Sequence, residues 1–303
     1  MQEDVEDQLE QPLTHFRAPN TTMTYNRALE EFRTWRRGCP DADTVDELDA
    51  AAIFVAKKSV TNSSRSLATF VSSLAFSRMG RKPFETERWT VLDELVRAKK
   101  RVESVKDQKF ASTEEWLTLL DTTSRMSWPI WRADRAAVLL TLLFCGLMRI
   151  SEALNICRED VSSRDAVLEV HGKGNSRKAK SDQFSSGSAV FLAREDWFDE
   201  ALERLLGEHQ GQFLLAAANG GKWSPGAAAS EIRRLCEEAG IRVLSPHTFR
   251  RGGATRAIEN GIPVDKVQRR GRWANPTSMK PYLARTLLTQ GGPTALTGPP
   301  QPI

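Results

Sequence analysis

One apolar stretch near the middle of the chain constrains the fold more than any other segment. Between Arg132 and Leu147, apolar side chains recur at helical spacing, and they include Ala136, Leu139, Leu140, Leu143 and Phe144. A helix this rich in apolar residues is typical of a buried element surrounded by other helices. The stretch therefore predicts the central helix of a domain, and Gly146 marks its end.

A second group of helices is predicted nearer the N-terminus. The first follows Thr22 and carries Tyr25, Leu29, Phe32 and Trp35 on one face. Three more are predicted at Val45–Lys57, Ser64–Ser77 and Thr86–Val102. Together they predict a small all-α domain over 21–102.

The remaining segments complete the predicted domain organisation. Residues 1–20 predict a flexible acidic arm, the basic segment 103–112 a linker, and the Gly/Pro-rich segment 291–303 a disordered tail. The second domain, 113–290, opens with an N-cap pattern at Ser112 and closes with helices. The predicted fold class is mainly α with a small β-hairpin or sheet, in which an N-terminal α-helical domain precedes a mixed α/β domain.

Composition excludes several classes of protein. No stretch approaches eighteen apolar residues, and the first residues are acidic, so neither a membrane span nor a signal peptide is predicted. The cysteines form no CxxC pair, which predicts reduced core thiols in an intracellular protein. The four cysteines are Cys39, Cys145, Cys157 and Cys236.

Charge is divided unevenly along the chain. Residues 1–50 carry 5 basic and 12 acidic residues, a net charge of −7, whereas 51–303 carry 38 basic and 27 acidic residues, a net charge of +11. A basic body favours a polyanionic partner such as nucleic acid, because neutralising phosphates releases counterions. An Arg-rich solvated surface gives the same count, so charge alone leaves both interpretations open.

The chemistry-bearing residues are concentrated near the C-terminus. In Ser245–Arg256, His247 and Arg250 are three residues apart, which puts them on one face of a helix that begins near Pro246. Trp273 follows a short helix, and Tyr282 comes nine residues later. Arginine donors match phosphate oxygens, histidine moves protons near neutral pH, and a tyrosine hydroxyl is a possible covalent nucleophile.

Two further segments are candidates to complete this site. Arg149 lies at the turn after the apolar helix, one helical turn before Glu152. The two residues either form an ordinary ion pair at a helix end, or Arg149 is held firmly enough to bind a phosphate. A β-hairpin is predicted from Ala166–His171 and Ser188–Leu192, and its basic tip carries Lys173 and Lys180. Each lysine is either a surface charge or a proton donor to a leaving oxygen.

In this order and spacing, the motifs resemble those of the tyrosine recombinase (phage integrase) family. The resemblance rests on Arg149-Ile-Ser-Glu152, the basic hairpin, His247-Thr-Phe-Arg250, Gly271-Arg-Trp273 and Tyr282. It covers about 113–290, while the first four helices resemble the family's α-helical core-binding domain in position and size. Each motif alone arises readily by chance, but five in order are specific.

The resemblance implies DNA strand cleavage and rejoining through a 3′-phosphotyrosine intermediate, without metal or ATP. Tyr282 is expected to attack the phosphorus and His247 to act as general base or hydrogen-bonding partner. Arg149 and Arg250 are expected to bind the non-bridging oxygens, and Trp273 to hold one through its indole N–H. Glu152 is expected to orient Arg149 or the histidine.

The general acid implied by the resemblance is a hairpin lysine, and Lys173 is favoured slightly over Lys180. The implied assembly is a C-shaped clamp on double-stranded DNA, with a homo-tetramer acting on two sites. No cofactor is implied, and the sequence contains no persuasive metal-binding cluster.

Three other interpretations stay open: a type IB topoisomerase, a domesticated DNA-binding protein that no longer cuts, and an Arg-rich protein unrelated to DNA. The sequence does not name the target site, the biological process or the host, and it does not distinguish a bacterial cytoplasm from a nucleus.

Overall fold

The computed structural model describes residues 19–39, 44–78, 87–104, 110–164, 167–171, 189–193, 195–208, 211–273 and 275–279. The chain divides into two compact units, Met1–Asp107 and Gln108–Ile303. Both are mainly helical. No described helix is long and apolar enough to cross a membrane.

The first unit contains four described helices around an aromatic core. They are α1 (Pro19–Arg37), α2 (Glu47–Lys58), α3 (Ser64–Ser77) and α4 (Glu87–Val102). The rings of Phe32, Phe54 and Phe70 lie 5.0–5.4 Å apart between centroids, at the tilted angles that aromatic pairs prefer. The aromatic residues of the predicted stripes therefore form the centre of this unit.

Two helix starts in the first unit differ from the predicted ones. Helix α1 begins at Pro19, inside the segment predicted as an arm. Helix α2 begins at Glu47 rather than Val45, because the Asp46 side chain accepts a hydrogen bond from the backbone N–H of Leu48 at 2.8 Å and so acts as N-cap.

The second unit contains helices and one small sheet. Its α-helices are α5 (Thr113–Arg125), α6 (Ile130–Phe144), α7 (Ile150–Ala153), α8 (Asp196–Glu208), α9 (Pro225–Glu238), α10 (Pro246–Glu259) and α11 (Val264–Arg270). Short 3-10 helices lie at Arg158–Asp160 and Pro276–Met279. The start of α5 confirms the predicted cap: Ser112 and Glu115 each accept a hydrogen bond from the other's backbone N–H.

Helix α6 is the buried centre of the second unit, since every residue from Asp134 to Phe144 is buried. The predicted helix ran to Leu147, but α6 ends at Phe144. Leu147 adopts a left-handed backbone conformation (φ 49°), and the N–H of Met148 turns back to the carbonyl of Leu142 at 3.1 Å. This reversal sends the chain sharply towards Arg149.

Two adjacent glycines let α10 pack closely in the second unit. A Cβ atom on Gly252 would lie 1.9 Å from the carbonyl oxygen of Ala111, and one on Gly253 would lie 1.9 Å from that of Phe144. Any larger residue would push α10 away from both backbones. The glycines therefore bring the helix that carries His247 and Arg250 against the end of α6.

The sheet consists of three antiparallel strands in the order β1 (Val161–Arg164), β2 (Val167–His171) and β3 (Ala189–Ala193). Val161 pairs with Val170, and Val167 pairs with Ala193. The buried side chains of Val190 and Leu192 join the apolar core around α6. Lys173 and Lys180 lie outside the described residues.

A buried ion network joins α6 to α9. Arg135, 5% exposed, donates to both carboxylate oxygens of Glu231 at 3.0 Å and to the carbonyl of Ala216 at 2.8 Å. Arg132 also donates to Glu231, at 2.9 Å. Every charge in the network has a partner of opposite sign, which is what allows it to be buried.

The four cysteines are free thiols, as predicted, but only Cys157 and Cys236 are buried. Cys39 and Cys145 are partly exposed because each lies at or beyond the last turn of a helix rather than within an apolar face. Burial and Glu195 raise the pKa of Cys145 to about 11, against the opposing charge of Arg270.

Candidate active site

The candidate site lies where two turns meet in the second unit. One turn, Leu147–Arg149, follows α6, and the other, Gly271–Trp273, follows α11. Leu147 and Arg272 are the only non-glycine residues with a positive φ (49° and 54°) in the part of the chain that the structure describes. Left-handed backbone at such residues is unfavourable, so contacts around the turns must stabilise it.

Arg250 bridges the two turns. Its side chain is 1% exposed, and its Nη1 donates to the carbonyl of Leu147 at 2.6 Å. Its Nη2 donates to the carbonyl of Gly271. The guanidinium also lies over the indole of Trp273, 4.3 Å from the ring centroid. One arginine thus connects α10 to both turns.

The carboxylate of Glu152 contacts three arginine side chains. Its Oε1 accepts a hydrogen bond from Nη1 of Arg149. Its Oε2 accepts from the backbone N–H of Arg149 and from Nη2 of Arg272, both at 2.8 Å, and lies 3.6 Å from Nη1 of Arg250. The carboxylate is 8% exposed, so it is shared inside the protein rather than with water.

These contacts keep Glu152 ionised. Burial acts to raise the pKa of its carboxyl group, but the positive charge of Arg272, the backbone N–H of Arg149 and the Arg149 guanidinium together lower that pKa below its ordinary value. Three guanidinium groups and one carboxylate leave the cluster with two net positive charges. Such a cluster attracts a bound anion.

His247 lies in the first turn of α10, one helical turn before Arg250. Partial burial and then the positive charges of Arg251, Arg250 and Arg149 lower the pKa of its imidazole to about 4. The residue remains exposed, so solvent and salt screen part of this repulsion. At neutral pH the ring is uncharged and able to accept a proton.

Trp273 is fixed in place from several sides. Its residue is 9% exposed, its backbone N–H donates to the carbonyl of Gln268 at 3.1 Å, and its carbonyl accepts from Nε2 of the same glutamine at 3.0 Å. A Cβ atom on Gly271 would lie 1.8 Å from Cζ3 of the indole. Glycine at 271 therefore makes room for the ring that covers Arg250.

The structure brings together most of the residues that sequence analysis selected and it adds one. Arg149, Glu152, Arg250 and Trp273 are linked by direct contacts, and His247 lies within the field of the same arginines. Tyr282, Lys173 and Lys180 lie outside the described residues.

Arg272 was not selected from the sequence. It stands inside the quoted Gly271-Arg-Trp273 motif, but neither its left-handed backbone nor its contact with Glu152 has a local sequence signal.

Comparison with known proteins identifies relatives of this chain. Residues 109–287, more than half of the chain, match the sequence profile of the phage integrase family. The chain is 31% identical over 160 residues to the tyrosine recombinase XerD of Corynebacterium glutamicum, a match that covers 52% of this chain and 50% of that protein. It is 28% identical over 255 residues to the tyrosine recombinase XerD of Staphylococcus saprophyticus, with 82% of each protein covered.

A solved structure shares the fold. The XerH site-specific recombinase, in its post-cleavage complex with the palindromic difH substrate, superposes with a TM-score of 0.60 at 17% identity, over 87% of this chain and 76% of that one. At this identity the likeness concerns the fold alone.

Proposed function

The chain belongs to the phage integrase family, and on that premise we propose that it is a site-specific DNA recombinase that cuts and rejoins DNA through a 3′-phosphotyrosine. The observation that carries the proposal is the convergence of Arg149, His247, Arg250 and Trp273 from three separate segments. The proposed nucleophile, Tyr282, follows Trp273 by nine residues in the chain. The cluster's two net positive charges suit a phosphodiester, whose charge increases when it is attacked.

In the proposed cleavage step the Tyr282 oxygen attacks the scissile phosphorus. The phenol proton passes to His247, which is uncharged in the free protein and gains proton affinity once the DNA phosphate offsets the neighbouring arginine charges. A bond forms between the tyrosine oxygen and phosphorus as the bond to the 5′ oxygen breaks. The departing 5′ oxygen takes a proton from Lys173, or from Lys180 if that lysine is the acid. Rejoining runs the same step backwards without ATP, because the phosphotyrosine retains the bond energy.

Arg149 and Arg250 have different roles towards the phosphate in this proposal. Arg149 is 28% exposed and can contact a non-bridging oxygen directly, whereas Arg250 is 1% exposed and donates to two carbonyls. Arg250 therefore stabilises the phosphate through its positive charge without direct contact, and it holds the Leu147–Arg149 and Gly271–Trp273 turns in place. Trp273 covers Arg250, and in this proposal its indole N–H contacts a phosphate oxygen.

The partner we propose is double-stranded DNA inside the cell, with a homo-tetramer on two sites as the working assembly. The second unit, including its three-stranded sheet, would be the mixed α/β catalytic domain, and the first unit the α-helical core-binding domain. The basic last turn of α4, with Lys99, Lys100 and Arg101, supports a phosphate-binding role at its end.

The test is capture of protein-linked DNA from a library of duplexes. The parent protein should form a covalent adduct that survives denaturation, and Tyr282→Phe should form none. Tyr25→Phe is the matched control, because Tyr25 is the chain's other tyrosine and is buried in the first unit. Its adduct yield should equal that of the parent.

Two outcomes would contradict the proposal: an adduct with Tyr282→Phe, or no adduct from a parent that binds duplex DNA. Relaxation of supercoiled DNA without site preference would favour a type IB topoisomerase instead. On a nicked suicide substrate, Lys173→Ala should slow cleavage more than Lys180→Ala if Lys173 is the acid.

A further inference from the structure

Arg272 is held in a conformation that its residue type disfavours. Its φ of 54° is in the left-handed region, where asparagine and glycine are more readily accommodated than arginine. Its side chain is nevertheless 10% exposed and packed into the candidate site. Left-handed backbone at a non-glycine residue is concentrated at functional sites, where the surroundings enforce it.

The side chain of Arg272 makes contacts that all lie at the junction of the two turns. Its Nη2 donates to Oε2 of Glu152 at 2.8 Å and to the carbonyl of Leu147 at 3.3 Å, and its Nη1 donates to the carbonyl of Arg270 at 3.2 Å. The contact with Glu152 is the only one of these with a charged partner. Oε2 of that carboxylate also lies 3.6 Å from Nη1 of Arg250.

The charge balance of the cluster depends on this contact. Without Arg272, Glu152 would share its full negative charge between Arg149 and Arg250, and the group would have one net positive charge. With Arg272 it has two. A phosphodiester attacked by a tyrosine oxygen develops close to two negative charges in the pentacoordinate state, so the third arginine matches the cluster to that state rather than to the ground state.

We infer that Arg272 is a positioning residue that neutralises and orients Glu152, so that Arg149 and Arg250 keep their positive charge for the scissile phosphate. The inference rests on the proposed recombinase function. Its effect is exerted through Glu152 and not through contact with DNA. A residue that binds phosphate directly, or one that only supports the fold, would respond differently to the variants below.

The test uses Arg272→Asn in two backgrounds. Asparagine tolerates a positive φ, so this variant removes the charge without adding backbone strain, and the rates are compared at a temperature at which circular dichroism shows both proteins folded. In the parent background, single-turnover formation of the protein–DNA adduct should slow by about 10- to 100-fold, by analogy with the loss of a residue that orients a metal ligand. In a Glu152→Gln background, the same substitution should slow it by less than about threefold, because no carboxylate charge remains to be neutralised.

Three further measurements separate the alternatives. Arg272→Lys, which keeps the charge, should recover part of the rate. The affinity of Arg272→Asn for duplex DNA and its salt dependence should equal those of the parent. Arg269→Asn is the matched control, because Arg269 is on the same helix end, is 74% exposed and pairs only locally with Asp265; it should leave the rate unchanged.

Equal slowing in both backgrounds would overturn the inference, and so would a reduced salt dependence of DNA binding, which would make Arg272 a phosphate contact. A lower melting temperature that accounts for the lost rate, or a rate equal to the parent's, would also overturn it. If the parent binds duplex DNA and forms no adduct, the proposed function itself fails, and the role of Arg272 in it fails too. In that case the parent, not the variant, gives the negative result, so the two failures are distinguishable.

Discussion

Replacing Arg250 by alanine should destabilise the second unit severely, beyond any effect on DNA. The substitution leaves the carbonyls of Leu147 and Gly271 without their guanidinium donor and uncovers one face of Trp273. It also removes one of the positive charges beside the buried carboxylate of Glu152. The two turns would then lose the side chain that connects them to α10.

The size of the loss follows from these contacts. Each hydrogen bond from a charged donor contributes about 1.5–3 kcal/mol, and a desolvated cation–π contact adds about 2 kcal/mol. The contributions overlap, and removing one member of a buried charged group costs about 3–5 kcal/mol in total. We therefore expect Arg250→Ala to lose about 3–5 kcal/mol of unfolding free energy. Arg250→Lys should lose about half as much, because it keeps the charge but lacks the planar fork of donors that contacts the two carbonyls.

Urea unfolding of the full chain, followed by tryptophan fluorescence, measures this loss. The second unit contains most of the chain's tryptophans, at Trp116, Trp128, Trp131, Trp197, Trp223 and Trp273. With a denaturant slope of about 2 kcal/mol/M, the midpoint should fall by roughly 1.5–2.5 M. Arg256→Ala, an exposed arginine on the same helix, should change stability by less than about 0.5 kcal/mol. A loss below about 1 kcal/mol for Arg250→Ala would refute the view that this side chain holds the turns together.

Two further predictions concern the same site. Gly271→Ala should displace the indole of Trp273, lower stability by about 1–3 kcal/mol and slow adduct formation. Gly226→Ala is the control, because a Cβ atom there meets nothing within 4 Å, and it should change neither quantity. Urea unfolding and adduct assays compare the two variants, and equal behaviour would contradict the packing argument. The imidazole of His247 should titrate near pH 4 in the free protein by NMR, with its signal assigned through His247→Gln, and at a higher pH once duplex DNA offsets the arginine charges. Because its folded pKa lies below the unfolded value of about 6.5, the unfolded state binds more protons in between, and stability should fall as pH decreases from 6.5 towards 4. A free-protein midpoint near 6.5 would show that neither burial nor the arginine charges act on the ring.

Local signals in the sequence predicted much of the helical framework. The cap at Ser112 was correctly placed, because capping depends on residues within one turn. The apolar spacing that predicted α6 as a buried centre was also correct. The order of motifs then selected Arg149, His247, Arg250 and Trp273, which the structure brings into one region.

The features that the sequence missed depend on contacts between distant segments. Nothing near Leu147 predicts its left-handed backbone, because the carbonyl there is bound by Arg250, 103 residues later. The lowered pKa of His247 comes first from burial, which exists only in the folded protein, and the distant Arg149 adds to the charges of the nearby Arg251 and Arg250. Arg272 looked like one more basic residue in a basic stretch, since its partner Glu152 is 120 residues away.

The bridge made by Arg250 has a consequence for the timing of protein synthesis. A ribosome that has just added Leu147 must still add Arg250 and then Gly271 before the two turns can be joined. A product that stops before Gly271 therefore contains Arg149 but cannot form the Arg250 bridge. Under the proposed function, such an incomplete chain would be unable to break a DNA strand.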